Sequence, residues 1–223
     1  MSQVVIYCDF DGTITEKDNI IAIMKKFAPN GWETVKDQIL SREVSIRKGV
    51  GELFSRVPSS LKEDIKRFAL ENLRIRKGFK EFVTFTRENN IPLYIVSGGI
   101  DFFVLPALEE FGPFDAIFCN GSDFSGENIH ILWPHSCDSL CENDCGCCKP
   151  SVIRKLGHSD SLKIVIGDSV TDFEAAKQAD FVLATDFLKE KCEQWEINHQ
   201  GFETFYDCID AIKNRIEVKE QTC

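Results

Sequence analysis

The sequence predicts an α/β fold, a doubly wound parallel sheet with an inserted small helical cap, and three observations predict it. Short β-branched runs recur along the chain, "VVIYC" at 4–8, "PLYIVSGG" at 92–99 and "SLKIVIGDS" at 161–169, each apolar enough to be buried on both faces. Helical patterns lie between most of them, the alternation that builds a parallel sheet with helices on both sides. Each run ends in polar and glycine residues, and in such sheets ligands bind beyond the carboxyl ends of the strands.

The elements follow in order. About eighty residues separate the first strong strand from the second, far more than one crossover helix needs. That interval is helical in pattern: "NIIAIMKKF", "WETVKDQIL", "SIRKGVGELFSRV" and "SSLKEDIKRFALENL", the last with Ser59 or Ser60 expected as its N-cap. Residues 17–77 are therefore expected to form the cap, and 1–16 with 78–223 the α/β core. "FKEFVTFTREN" places Phe79, Phe82, Val83 and Phe85 at helical spacing. "DAIFCN" (115–120) and "DFVLAT" (180–185) read as further strands, and "SGENIHILW" as a turn and strand that form a hairpin, which with a cysteine-rich loop occupies about 119–148. "KPSVIRKL" reads as a helix with Pro150 in the favoured first turn, "VTDFEAAKQA" as another, and 202–218 as the last.

At 223 residues, 43% apolar and 28% charged, the composition is that of an ordinary globular chain. Acidic residues exceed basic ones by 36 to 26, which disfavours a nucleic-acid partner because phosphate-backbone binders present clustered positive charge. No apolar stretch approaches the roughly 20 residues of a membrane span, and the run from Val4 is too short for a signal sequence. The expectation is a cytoplasmic protein. The insertion is less acidic than its surroundings, with 16 basic and 11 acidic side chains in 16–88; this suits an anionic ligand as well as it suits solvated helix faces.

The chemistry is concentrated where strands stop. In "CDFDGT" the carboxylates of Asp9 and Asp11 stand two residues apart, so in extended backbone they point to one side. Two such charges need a cation between them, and magnesium prefers a few hard oxygen ligands together with water and phosphate. One carboxylate could then attack phosphorus while the other gives a proton to the leaving oxygen. Taken alone, "DGT" is equally a turn that caps a helix. The other strand ends favour the catalytic reading: Ser97 with Gly98 and Gly99 suits a phosphate, Lys149 opens a helix, and Asp168 and Asp172 in "GDSVTD" add oxygen ligands.

In this order "DFDGT", "IVSGG", the lysine of "CCKPS" and "GDSVTD" resemble the four motifs of the haloacid dehalogenase-like hydrolases, over nearly the whole chain. The resemblance implies Asp9 as nucleophile and Asp11 as general acid and base. It implies Thr13, Ser97, Gly98 and Lys149 around the phosphoryl group. Magnesium would be held by Asp9, the backbone carbonyl of Asp11 and Asp168, with Asp172 in support. An aspartate at position 11 separates phosphatases from dehalogenases, which lack that carboxylate, and from transport ATPases, which carry threonine there. Within the superfamily, "CDFDGTIT..DNI", "SGGIDFFV", "WPHSC...C...CGCCKPSVI" and "IGDSVTD" are similar to the phosphatases of methionine salvage. That likeness implies hydrolysis of 2-hydroxy-3-keto-5-methylthiopentenyl-1-phosphate to a dihydroxy-ketopentene with a methylthio tail. Phe102 and Phe103 are candidates for the apolar slot that such a tail needs, with buried helix packing the expected role of at least one of them. A phosphoserine phosphatase is the alternative, with Arg42 and Arg47 available for the substrate's carboxylate. A zinc-binding or redox-sensing module is the alternative of another class.

That last reading rests on Cys137, Cys141, Cys145, Cys147 and Cys148, half of the chain's ten cysteines. Four of them could hold zinc, but their spacing differs from paired CxxC knuckles. Structural zinc is accordingly ranked below free thiols and a local disulfide. Because the cluster runs directly into Lys149, its expected task is to position that lysine.

Overall fold

Strand β1 (Val4–Cys8) explains the layering. Its five residues are all buried, and they alternate: Val4, Ile6 and Cys8 enter one hydrophobic cluster, Val5 and Tyr7 the other. A strand with two apolar faces must be central, and the computed structural model, which describes residues 4–158 and 160–222, puts it there. The sheet has seven strands in the order β4-β3-β2-β1-β5-β6-β7. The others are β2 (Leu93–Ile100), β3 (Ala116–Asp123), β4 (His130–Leu132), β5 (Leu162–Gly167), β6 (Phe181–Ala184) and β7 (His199–Gly201). All neighbours run parallel except β3 and β4, which form the expected hairpin. The order reverses direction at β1, which lies between β2 and β5, and this is the crevice where doubly wound sheets bind ligands.

On one face, helices α5 (Phe79–Glu88) and α10 (Phe205–Thr222) pack through Phe79, Phe82 and Phe205, whose rings lie 5.0 Å apart across the pair. Burying each phenyl contributes about 1.5–3 kcal/mol. The opposite face is covered by α7 (Lys149–Leu156) and α8 (Phe173–Ala176), through Val152, Ile153 and Ala175.

Between β1 and α5 stand α1 (Asn19–Phe27), α2 (Trp32–Leu40), α3 (Ile46–Ser55) and α4 (Lys62–Asn72). Asp18 and Ser45 start α1 and α3 by accepting from the backbone N–H groups of Ile21 and Lys48. The chain leaves and re-enters the sheet side by side: Thr15 pairs antiparallel with Ile75, and the Arg76 N–H donates to the Ile14 carbonyl at 2.7 Å. The hairpin also reaches the helices, with the Ser59 N–H donating to Glu127 and the Ile129 N–H to Val57. Among the described residues, no helix is long and apolar enough to cross a membrane.

Several expectations need correction. Neither Ser59 nor Ser60 caps α4; the two fall in a tight 3₁₀ turn, Ser59–Leu61, that pairs with the hairpin tip, and no side chain caps α4. The helix expected from Val170 begins at Phe173, because Ser169 to Asp172 form a turn closed by hydrogen bonds to the Asp172 carboxylate. The last helix starts at Phe205 instead of Phe202. Helices α6 (Asp101–Leu108) and α9 (Asp186–Gln194) and strand β7 complete the fold.

Candidate active site

At the end of β1 the Asp9 N–H still donates to the Ile166 carbonyl at 2.9 Å, so strand geometry continues one residue further. Asp9 and Asp11 both have extended backbone, with φ/ψ of −73°/164° and −71°/121°. Gly12 then turns the chain at φ +80°, where a Cβ would also lie 2.3 Å from the Asp168 carboxylate; only glycine satisfies both demands. Arg76 braces the turn from below, donating to the carbonyls of Gly12 and Thr13 at 2.6 and 2.7 Å.

Asp11 is held by one oxygen only. Its Oδ1 accepts from the backbone N–H and the side-chain amide of Asn19, at 3.0 and 2.6 Å, while Oδ2 is buried with no hydrogen-bond partner. That free oxygen faces Gly99, where a Cβ would approach it to 2.8 Å. Asp9 and Asp172 bracket Lys149, which opens α7: the ammonium pairs with Asp9 Oδ1 at 2.9 Å, closely with Asp172 Oδ1, and with Thr171 Oγ1 at 3.2 Å. Asp172 Oδ2 accepts from the N–H groups of Asp168 and Ser169.

The residues expected from the motifs thus converge, although two hydroxyls are already engaged. Thr13 donates to Asp168 Oδ1 at 2.9 Å, and Ser97 accepts from the Gly99 N–H at 2.9 Å. Neither lines the cavity above the carboxylates, whereas Gly98 does, its carbonyl accepting from Asn120 at 2.7 Å. Asn19, Arg76, Asn120 and Thr171 are further parts of the site. Asn19 has the look of a helix-start residue, and Arg76 and Asn120 stand far from the motifs in sequence, so pattern alone conceals them; Thr171 lies inside "GDSVTD", where the neighbouring carboxylates draw attention from it.

Ligand oxygens of Asp9, Asp168 and Asp172 lie within 4.8 Å of one another. Three carboxylates against one ammonium leave two negative charges uncompensated in a buried volume. All the donors are hard oxygens, so the residues fit a divalent cation of the magnesium type. The Asp11 carboxylate stands outside this trio. Burial is the main cause that pushes Asp168 up to about 9, with Asp172 and Asp9 adding repulsion. Burial likewise raises Asp9 to about 7 despite the opposing Lys149. Asp11 rises well above the usual carboxylate range through burial and then the charge of Asp18. Burial opposes the Lys149 ammonium, but Asp172 and Asp9 outweigh it and raise its pKa. One carboxylate beside an ammonium and another inclined to keep its proton make a nucleophile and acid pair.

Above them lies a cavity of about 170 Å³, floored by Asp9, Asp11 and Asp168 and walled by Ile20, Ile39, Ile46, Val50 and Leu53. Phe102 and Phe103 are not in that wall. Both are buried beneath it, packed on Phe54, Phe10 and each other, which corrects their candidacy for a ligand slot. Farther along the rim, the cysteine-rich loop gathers the sulfurs of Cys137, Cys141, Cys145 and Cys148, and every cysteine among the described residues is unbonded.

The family model of the haloacid dehalogenase-like hydrolases matches residues 6–177. The chain belongs to the haloacid dehalogenase-like hydrolases. Among members of this family, it is 60% identical over 216 residues to the "2-hydroxy-3-keto-5-methylthiopentenyl-1-phosphate phosphatase" of Geobacillus kaustophilus, covering 97% of this chain and 98% of that one. A protein of the same name from Bacillus cereus is 53% identical over 217 residues, covering 97% and 99%. Among solved structures, a substrate-bound phosphoserine phosphatase superposes with a TM-score of 0.72 over 95% of this chain and 99% of that one, at 17% identity. The phosphoserine phosphatase of T. onnurineus gives 0.71 over 96% of each, at 18% identity. At those identities, the structural likeness establishes the hydrolase fold.

Proposed function

We propose that this chain is a magnesium-dependent phosphatase that hydrolyses 2-hydroxy-3-keto-5-methylthiopentenyl-1-phosphate to 1,2-dihydroxy-3-keto-5-methylthiopentene and phosphate, a step of methionine salvage. The observation that carries this reading is the apolar wall facing the carboxylate pair, in a chain 60% identical to a protein of that name. A phosphate on the floor of the cavity would leave an uncharged methylthio tail against Ile39, Ile46, Val50 and Leu53, where burial rewards it. In this reading residues 17–77 are the cap that carries the wall, and 1–16 with 78–223 the core that carries the chemistry.

Asp9 Oδ attacks phosphorus, the bond from phosphorus to the enol oxygen breaks, and Asp11 gives its proton to that oxygen. Water then attacks the phospho-aspartate, Asp11 takes the water's proton, and phosphate leaves with the Asp9 carboxylate restored. Lys149 holds Asp9 in place and offsets charge as phosphate oxygens arrive. The Gly98 and Gly99 backbone allows close approach to the phosphate, and the buried Ser97 and Thr13 hydroxyls act from behind it, fixing the Gly99 N–H and the Asp168 carboxylate. Asp9, the Asp11 carbonyl and Asp168 would hold magnesium, with Asp172 fixing the Asp168 turn. When bound, the ion neutralises the carboxylates and the phosphoryl oxygens. The setting that suits this activity is the cytoplasm, where unbonded thiols persist.

Phosphoserine is the less favoured substrate because it needs charged partners at the tail. Arg47 is paired with Asp144 at 3.4 Å, and Arg42 borders a neighbouring cavity beside the cysteine-rich loop. The methylthio enol phosphate and phosphoserine, assayed with and without magnesium, test the assignment. Expected are magnesium-dependent release of phosphate and a preference for the enol phosphate of at least about 100-fold in kcat/KM. A preference for phosphoserine overturns it.

Metal and pH are linked through the same carboxylates. Their folded pKa values stand above the ordinary 3.8, so the stability they contribute is present at low pH and lost as pH rises through about 7 and 9. Metal-free protein is expected to melt at progressively lower temperature from pH 6 to pH 9. Magnesium, which favours the ionised carboxylates, should raise the melting temperature more at pH 8.5 than at pH 6. Equal magnesium shifts at the two values contradict the assignment of Asp9 and Asp168 as ligands.

A further inference from the structure

The segment between β4 and α7, residues 133–148, has no helix or strand, yet its last three residues, Gly146 to Cys148, are buried. A sixteen-residue loop without internal structure is unusual in a compact chain. Something must compensate its ordering entropy, and few apolar side chains within it are available. What it does contain is four cysteine sulfurs, from Cys137, Cys141, Cys145 and Cys148, all within 4.8 Å of one another.

We propose that these four cysteines form a closed structural zinc site, separate from the carboxylate trio. A tetrahedral zinc with bonds of about 2.3 Å to sulfur sets its ligands about 3.8 Å apart. The Cys137–Cys141 and Cys141–Cys145 pairs stand at 3.6 and 3.8 Å. These separations are well beyond the roughly 2.05 Å of a disulfide. A disulfide would also draw the sulfurs together in pairs, whereas here four converge on one point. Two further contacts suit thiolate ligands: the Cys145 N–H donates to Cys137 Sγ at 3.4 Å, and the Ser151 hydroxyl donates to Cys148 Sγ at 2.9 Å. Cys147 is excluded from the cluster, its thiol directed to the Phe118 carbonyl at 3.7 Å. His135 is also excluded, because its ring packs edge-on against Phe118. Four thiolates and no open position favour zinc held for structure over zinc held for catalysis.

The linear spacing, which has no CxxC pairs, disguises this arrangement; only the folded loop makes it a site. Its consequence is positional. Cys148 immediately precedes Lys149, so one ligand anchors the start of α7 and with it the ammonium between Asp9 and Asp172. Between Cys141 and Cys145 the loop reaches the other way. Asp144 accepts from the Ser45 hydroxyl at 2.6 Å, and its carbonyl accepts from the Arg47 N–H at 3.1 Å, at the start of α3. The same α3 supplies Ile46, Val50 and Leu53 to the cavity wall. The zinc knot therefore ties the phosphate end of the cavity to its apolar end, displacing thiol protons when it forms.

The test is metal analysis of the full chain purified in reductant without chelator, and it is independent of phosphatase activity. Expected is about one zinc per chain, released in proportion to added mercurial and read by a zinc-sensitive dye. Cobalt substitution is expected to give the sulfur-to-cobalt charge-transfer bands of a tetrathiolate. Cys147→Ser should keep the zinc, while Cys141→Ser and Cys145→Ser should lose most of it and melt at lower temperature. If those two variants fail to fold, the parent protein and Cys147→Ser decide the matter alone. Folded parent protein that holds less than about 0.1 zinc per chain after incubation with zinc and reductant overturns the proposal, as does iron in its place or zinc retained in both ligand variants.

Discussion

Asp9→Asn is expected to abolish phosphate release, lowering kcat by at least about 10⁴-fold, because an amide oxygen next to Lys149 is no nucleophile toward phosphorus. The substitution keeps the shape of the side chain, so the loss can be assigned to chemistry. Asp9 is 4% exposed, and burial, with a smaller contribution from Asp172, pushes its pKa up to about 7 despite Lys149. Near neutral pH, replacing it with a neutral group therefore removes a charge that the fold does not favour, while Lys149 keeps Asp172 and Thr171. The metal-free variant should melt no lower than the parent protein at pH 8. No phosphoenzyme should form with substrate labelled at phosphorus. Parent-level turnover in this variant would end the case for covalent catalysis at Asp9.

Much of the core is legible in the sequence because its signals are local. β1, α1 and α2 begin and end where the apolar runs do, since burial on one face or two dictates those patterns. The carboxylates, Lys149 and the glycine pair were legible because each ends a strand or opens a helix, and topology brings all such positions to one rim. What escaped depended on contacts distant in sequence. β7 has three residues, too few to show a period. α9 buries only Leu188 and Cys192, a stripe too narrow to announce a helix. Ser59 and Ser60 had the chemistry of caps, but pairing with Glu127 and Asn128 drew the segment into another role. The cavity wall was hidden differently: Ile39, Ile46, Val50 and Leu53 look in sequence like the packing faces of helices, and only their placement over Asp9 and Asp11 distinguishes them. Phe102 and Phe103 were misleading for the converse reason, since nearness in sequence to the glycine pair did not bring them to the ligand.

Asp11→Asn should fail at a different point from Asp9→Asn, and the difference identifies the role of the second carboxylate. The nucleophile and its Lys149 partner remain, so phosphoryl transfer to Asp9 continues slowly, while both proton transfers lose their carrier. A fall in kcat of about 10²–10⁴-fold is expected. An aryl phosphate with a good leaving group needs little protonation in the first step but still requires activated water in the second. With that substrate the variant should show a burst of phenol followed by slow turnover, and labelled phosphoenzyme should accumulate. The parent protein should show neither. Asn19 supplies the companion test, because its two hydrogen bonds to Asp11 Oδ1 favour the ionised carboxylate. Asn19→Ala removes the side-chain bond, so the Asp11 pKa should rise and the alkaline limb of kcat/KM move to higher pH. A role for Asn19 in fold stability alone would leave that limb unmoved. If Asp11→Asn lowers the burst and the steady state of the aryl phosphate equally, Asp11 acts by holding the loop and not by moving protons.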